Sequence, residues 1–552
     1  RVTTDDAFYS HPTFTPDGSA LIVVRSSTQD RHTTYMEYGQ LREADLIYLP
    51  LNGDTSRVLT SGYIGGRPHF GNDAGRVMFN SDEGVEAVSL EVDDRVVVTQ
   101  AVGPNWYFAQ GSASADDLRV SPDGRWALAL IAHQLHLYKI PENAGGAVDL
   151  SAPSTPHVRV TDIGADYFGW SADSASLYWS VGSTIYRLSL GDIDFGKTGR
   201  QHPVPSEAMY ALVDEFAISA AREPPGRTVL LTGATVFPMD DRSHPERMIP
   251  KADILLTDGK IAAIGGVGSV DAAGDLPRID LSGHYIIPGL IDAHYHVADI
   301  RRDVLQFDSW GLKTNLAHGI TTLFDPSSLT IDMLTYQDLL ETGEILGSRL
   351  FTTGPAIFDY NDFRSKAEVE AVLTRYRNHY RLRNLKQYRV GNRRVRQWFA
   401  ESARELGMTP TTEGALSYKL GLSQIIDGYS GNEHALPPPV LHRDMTELFA
   451  KSGTSSTLTL MITHGGVPAD TSFITRRQPL NDQKYARFAP DWFMQREFAD
   501  VSALDQDQFL YPAFAASAHR VHLAGGHVGV GAHGDLPGLG TIWEIQAYVE
   551  GG

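Results

Sequence analysis

The chain contains no cysteine. Disulfides, thiolate zinc sites, iron–sulfur clusters and a cysteine nucleophile are thereby excluded. Basic residues are in deficit: 47 Lys and Arg stand against 67 Asp and Glu, a formal net charge of -20. So acidic a chain repels phosphate backbones, which argues against a general nucleic-acid binder. Apolar runs of the ~20 residues that cross a bilayer are missing as well, so no membrane span is expected. The first residue is Arg1 rather than Met, and no signal peptide is visible. Freedom from cysteine suits exported, periplasmic and cytoplasmic settings alike, and localisation stays open.

What is present begins with length. The 552 residues amount to several domains of ~150 residues. Twenty histidines make a metal site feasible, held by His, carboxylate or modified Lys.

Residues 1–225 read as short β-strands in repeat. Turn-like segments recur at Thr15–Gly18, Gly71–Gly75, Ser121–Gly124 and Ser171–Ser174, each followed by an apolar β-rich run. Pro presets φ and Gly takes the positive φ, which makes such turns hairpin signals. Repetition every ~50 residues suggests propeller blades of four strands. Four blades are legible, so the ring is incomplete or closed by another segment; an unclosed β-sandwich is the alternative. Residues 221–226 read as a linker. Thr228–Thr232 and Asp253–Thr257 look like strands, with a hairpin turn at Asp258-Gly259. From about residue 286, strands and helices alternate: strand Gly319–Phe324, helix Asp332–Thr342, strand Arg349–Thr353, helix Lys366–Tyr380, strand Leu385–Val390. That alternation suggests a (β/α)8 barrel over 286–552.

The strongest chemical signal is the string Pro288-Gly289-Leu290-Ile291-Asp292-Ala293-His294-Tyr295-His296. On a strand, residues i and i+2 point to the same side. His294 and His296 would both face the barrel interior, where two neutral imidazoles can share one divalent metal. A second motif is declined. Gly191–Thr198 fits the P-loop spacing, but Gly199–Pro205 cannot open the helix that spacing needs, and Asp192 and Asp194 would repel phosphate. The basic stretch Arg375–Arg396 reads as a solvated or interdomain helix face; the sharper alternative is a carboxylate-binding surface near Lys386.

The string at 288–296 resembles the first-strand motif of the amidohydrolase superfamily, over roughly residues 228–552. The turns at 1–225 resemble TolB-like propeller blades, and Leu539-Gly540-Thr541-Ile542-Trp543-Glu544 strengthens a resemblance to the large propeller-fused branch. The resemblance implies a multidomain fold: an all-β propeller over 1–225, part of a small composite β-domain over 226–285, and a TIM-like (β/α)8 metallohydrolase barrel over 286–552. It implies metal ligands at His294, His296, Lys386, Glu413 and His434. Lys386 would be carbamylated and bridge two metals. Glu413 stands where many members have His, and Glu433 falls next to the metal shell. His533 stands at the eighth-strand position, as ligand or base. Asp535 replaces the usual Gln, adding an acid/base candidate or a contact for a cationic substrate. His464 replaces a usual Tyr, as an oxyanion donor or base.

The activity so implied is hydrolysis of an amide (peptide-like, N-acyl or cyclic) by water activated on one or two divalent ions, zinc foremost, with iron, manganese or nickel as others. His533, Asp535 and His464 are the catalytic candidates. Rivals are deamination, lactone opening or a rearrangement or cyclisation on the same site, and a propeller-based scaffold with an inactive barrel. Small-molecule or peptide-like substrates are the expected partners. Because the resembled proteins continue beyond the eighth strand, the resemblance implies either that the sequence is a fragment or that a second polypeptide completes the small β-domain; a homo-oligomer is a further expectation.

Overall fold

Three of the four recurring turns form by one local device. Thr15 Oγ1 donates to Asp17 at 2.6 Å, and Asp17 accepts Ser19 N at 3.1 Å. Ser121 with Asp123, and Ser171 with Asp173, repeat the same pair at 2.6 Å. A hydroxyl two residues before the Asp locks the reversal, and Gly18 and Gly124 take φ of 71° and 73° beside it. In the computed structural model, the described residues are 3, 5–27, 30–31, 43–104, 111–142, 146–195, 211–224, 226–241, 244–272, 274–298, 305–462, 466–498, 501 and 503–552.

Each turn joins the first and second strands of a four-stranded antiparallel sheet. The sheets run from Ala7–Phe14 to Arg57–Gly62, Gly66–Phe70 to Val96–Thr99, Asp117–Val120 to His157–Arg159, and Tyr167–Trp170 to Ala211–Glu215. Ser112–Ser114, Ala101–Pro104 and Val148–Asp149 form a smaller sheet beside them. Val77, Phe79, Leu128, Leu137 and Leu177 are wholly buried at their centres. Among the described residues the sheets stay separate and no sheet closes on itself.

Residues 216–224 are exposed and irregular. Next comes a sheet built on Val229–Val236, Ile249–Thr257 and Lys260–Gly266. Asp258 and Gly259 take φ of 54° and 69° at its hairpin, the pair of positive values that a type I′ turn needs.

The remainder is α/β. Its parallel strands fall into a sheet of three, Leu290–Asp292, Ile320–Asp325 and Arg349–Thr352, and a sheet of five. The five are Asn384–Gln387, Thr409–Glu413, Gly431–Glu433, Ser455–Thr457 and His527–Gly529. Single parallel bridges, Ile357 with Gln387 and Tyr295 with His533, link the two sheets at either side. The helix expected over 366–380 is α-helical only over Lys366–Thr374 and continues as a π turn over Arg375–His379. That turn packs against the N-terminal sheets. Arg375 is 1% exposed, Tyr380 Oη donates to Asp166, and a Cβ on Gly164 would lie 3.0 Å from Arg375 Cζ. The basic stretch therefore divides: Arg375 is interior, whereas Arg393 is half-exposed and pairs with Asp427 at 2.7 Å. Of the P-loop-like segment, Leu190–Asp192 is a 3-10 turn and 196–198 lie outside the described residues. No helix among the described residues is long and apolar enough to cross a membrane.

Candidate functional site

Strand periodicity places His294 and His296 together just beyond the Leu290–Asp292 strand, 1% and 3% exposed. Their Nε2 atoms lie 3.3 Å apart. Two imidazole nitrogens on one tetrahedral zinc at ~2.0–2.1 Å sit roughly 3.3–3.4 Å apart, so this spacing fits a shared ion. Each ring is oriented from behind. His294 Nδ1 is 2.9 Å from Glu433 Oε2, and His296 Nδ1 is 3.0 Å from Asp325 Oδ1. Carboxylates in that position fix the tautomer and leave Nε2 as the free donor of a lone pair. Burial, then the neighbouring His434 and His296, hold His294 well below the usual imidazole range. It is therefore neutral, as a ligand must be.

The ends of later strands converge on the same point. His294, His434 and His533 each offer a nitrogen within 4.8 Å of the others. Ring centroids of His296 and His533 are 4.5 Å apart, and those of His294 and His434 are 4.6 Å apart. His434 and His533 adopt φ of 63° and 69°, a left-handed conformation uncommon for a side-chain-bearing residue and costing of order 1–3 kcal/mol. Thr459 hydrogen-bonds His434 Nδ1. Asp535 Oδ2 sits 2.9 Å from His533 Nδ1, which turns His533 Nε2 away from Asp535.

Lys386 and Glu413 stand on the adjacent strands Asn384–Gln387 and Thr409–Glu413. Lys386 is 1% and Glu413 3% exposed. Lys386 Nζ lies 3.0 Å from Glu413 Oε2, and Glu413 Oε1 lies 3.3 Å from His434 Nε2. Nevertheless neither Lys386 Nζ nor Glu413 Oε2 has a hydrogen-bond partner among the described residues. A buried polar atom so left is costly. An oxygen-rich cation site, with the lysine converted to a carbamate, would satisfy both. All five residues expected as ligands thus meet in one place, with His533 and Asp535. His464 lies outside the described residues.

Three buried carboxyls escaped sequence reasoning. Asp325 orients His296. Asp292 accepts from His294 N at 3.0 Å and Thr541 Oγ1 at 2.6 Å, tying the first strand to the helix after the eighth; burial pushes its carboxyl up to about 6. Glu544 accepts from Leu460 N at 2.7 Å and Met461 N at 2.9 Å. A carboxylate closing an apolar strand run was the available signal for Asp292 and Asp325. The glycines around His533 have a packing cause: a Cβ on Gly531 would meet His294 Cβ at 2.5 Å, and one on Gly534 would meet His296 O at 2.6 Å.

No family profile matches the chain. Part of it is 31% identical over 87 residues to an adenine deaminase of Paracoccus denitrificans, covering 16% of this chain and 14% of that protein. An L-hydantoinase of Paenarthrobacter aurescens is 33% identical over 107 residues, 18% and 22% of the two chains. An enamidase of Eubacterium barkeri is 37% identical over 79 residues, 14% and 19%. The matched stretches thus span between about one seventh and just over one fifth of these relatives' length. Among solved structures, molinate hydrolase superposes with a TM-score of 0.44 at 15% identity, over 59% of this chain and 82% of that one. The homologues of this chain are amidohydrolase-type enzymes that act on C–N bonds.

Proposed function

We propose that the chain is a metal-dependent hydrolase that cleaves an amide C–N bond. One observation carries the reading: the ligand-type side chains of His294, His296, Lys386, Glu413 and His434 converge, and the Lys386–Glu413 pair is left without hydrogen-bond partners. These five residues would hold one or two divalent ions, zinc foremost, with Lys386 as a carbamate. Divalent ions held there supply Lewis acidity toward water and a carbonyl oxygen. Glu433 and Asp325 keep the imidazoles of His294 and His296 neutral and aimed. His533 Nε2 takes the proton of the attacking water, with Nδ1 tied to Asp535, and returns it to the leaving nitrogen. In the same reading, 286–552 is a (β/α)8 barrel, 226–285 the small β-domain, and 1–225 the blades of a propeller.

Deamination is the second reading, favoured by the adenine deaminases among the relatives. The test is metal content per chain by elemental mass spectrometry on protein purified without chelator, followed by a product-mass screen of cyclic amides, N-acyl amino acids and aminopurines. Close to two ions per chain and release of an amine from an amide support the proposal. Ammonia from aminopurines alone supports deamination. Absence of metal, with none regained on adding zinc and bicarbonate, overturns both.

A further inference from the structure

A β-branched side chain resists left-handed backbone strongly, because its Cβ crowds the following carbonyl. Thr459 adopts that backbone all the same, at φ 52°, in a fully buried position. It shares the conformation with His434 and His533, whose ring centroids lie 5.5 Å apart. Strained backbone of this kind persists only where its surroundings enforce it, and it gathers at functional sites.

The enforcing contacts come from the residues that follow. Glu544, itself fully buried, accepts Leu460 N at 2.7 Å and Met461 N at 2.9 Å. Ile462 N donates back to Thr459 O at 3.0 Å and closes the turn. One carboxyl thus grips the two residues after Thr459, and the third returns to Thr459 itself.

The hydroxyl gives the strained backbone a purpose. Thr459 Oγ1 donates to Leu458 O at 2.6 Å and is also hydrogen-bonded to His434 Nδ1. A hydroxyl has one proton, and a carbonyl oxygen can only accept. The Thr459 proton is therefore committed to Leu458 O, and Oγ1 accepts from His434. His434 then carries its own proton on Nδ1 and turns a lone pair outward on Nε2. That Nε2 lies 3.3 Å from Glu413 Oε1, an acceptor facing an acceptor, which a shared cation reconciles. Carboxylates orient His294 and His296 from behind; for His434 the same part falls to an uncharged hydroxyl.

We infer that Thr459 is a positioning residue of the metal centre: held in left-handed backbone by Glu544, its hydroxyl fixes the tautomer and the aim of His434. The inference rests on the metal site proposed above and adds to it a residue that touches neither the ion nor the substrate.

The test uses the full chain, stripped of metal and titrated with Co²⁺, read by its visible absorption and by competition with a chromogenic chelator. Thr459→Val keeps the branched shape and removes the hydroxyl. Thr459→Gly removes the hydroxyl and relieves the backbone, since glycine is at ease at this φ. Thr459→Ser keeps the hydroxyl. Cobalt affinity should fall about 10–100-fold in the Val and Gly variants, the usual effect of losing a residue that orients a ligand. The visible band should change shape in both, and the Ser variant should restore most of the affinity and the band. A fall in the Gly variant assigns the loss to the hydroxyl and not to the strain. Wild-type affinity and spectrum in the Val and Gly variants overturn the inference, as does a Ser variant as weak as Val. Failure of the wild type itself to take up cobalt overturns the metal reading, and the inference with it.

Discussion

Lys386 Nζ and Glu413 Oε2 lie 3.0 Å apart in the interior, yet the contact lacks hydrogen-bond geometry and neither atom has another hydrogen-bond partner among the described residues. An ion pair kept for stability would be expected to close that bond, because desolvation is repaid only when the remaining lone pairs and protons are also met. The proposed function accounts for the pair as two ligands of a cation.

Removing one member should therefore separate metal-free from metal-loaded behaviour. In metal-free protein, Glu413→Gln strands a buried ammonium, and unfolding should be easier by about 3–5 kcal/mol. Lys386→Met removes the charge that Glu413 faces and should cost metal content first. Chemical denaturation of stripped protein and elemental analysis of loaded protein measure the two effects. Bicarbonate-dependent modification of the Lys386 peptide by mass spectrometry should accompany the wild type alone.

Asp325→Asn and Glu433→Gln keep size while weakening the bonds that orient His296 and His294. Metal affinity should fall about 10–100-fold in each, read by competition with a chromogenic chelator. A variant that holds metal as tightly as the wild type would remove that residue from the site.

Much of the site was legible because it obeys local periodicity. His294 and His296 are two apart at the end of a strand. Lys386, Glu413 and His434 were reached only through the resemblance to the amidohydrolases; they lie on or directly after the strands Asn384–Gln387, Thr409–Glu413 and Gly431–Glu433. Glu544 was not legible, because its partner Leu460 lies 84 residues away; the position of Asp325 at the end of an apolar strand was visible, but its role was hidden, because His296 is 29 residues from it. The π turn at Arg375–His379 left no sequence mark; its cause is tertiary, the burial of Arg375 against Gly164.

Asp535 holds His533 by a 2.9 Å contact at Nδ1. Asp535→Asn should lower kcat by about 10²–10⁴-fold, the usual worth of a positioned proton acceptor. KM and metal content should stay close to wild type, and the acidic limb of the pH–rate profile should move. Steady-state kinetics across pH checks this. An unchanged profile would reduce Asp535 to a substrate contact.

Burial pushes the Glu544 carboxyl up to about 8 from an ordinary value of 4.5. The folded state then holds a proton that the unfolded chain releases. Its contribution to stability is whole below about 4.5 and is lost as pH rises toward 8. Stability of the wild type should thus decline over that window. Glu544→Gln, which retains an acceptor for Leu460 N or Met461 N, should flatten the decline and narrow the gap to wild type at alkaline pH. Melting temperatures from pH 5 to 9 of the two proteins, stripped of metal, would show parallel curves if Glu544 were ionised throughout.

His533 N donates to His294 O at 2.7 Å, and His296 N donates to His533 O at 2.9 Å; Asp292 also binds Ala532 N across 240 residues. The histidines at the start of the α/β region are therefore clasped by a segment about 240 residues further along the chain, so the pocket is complete only once contacts of such long sequence separation have formed, the kind whose loop-closure entropy makes assembly slow.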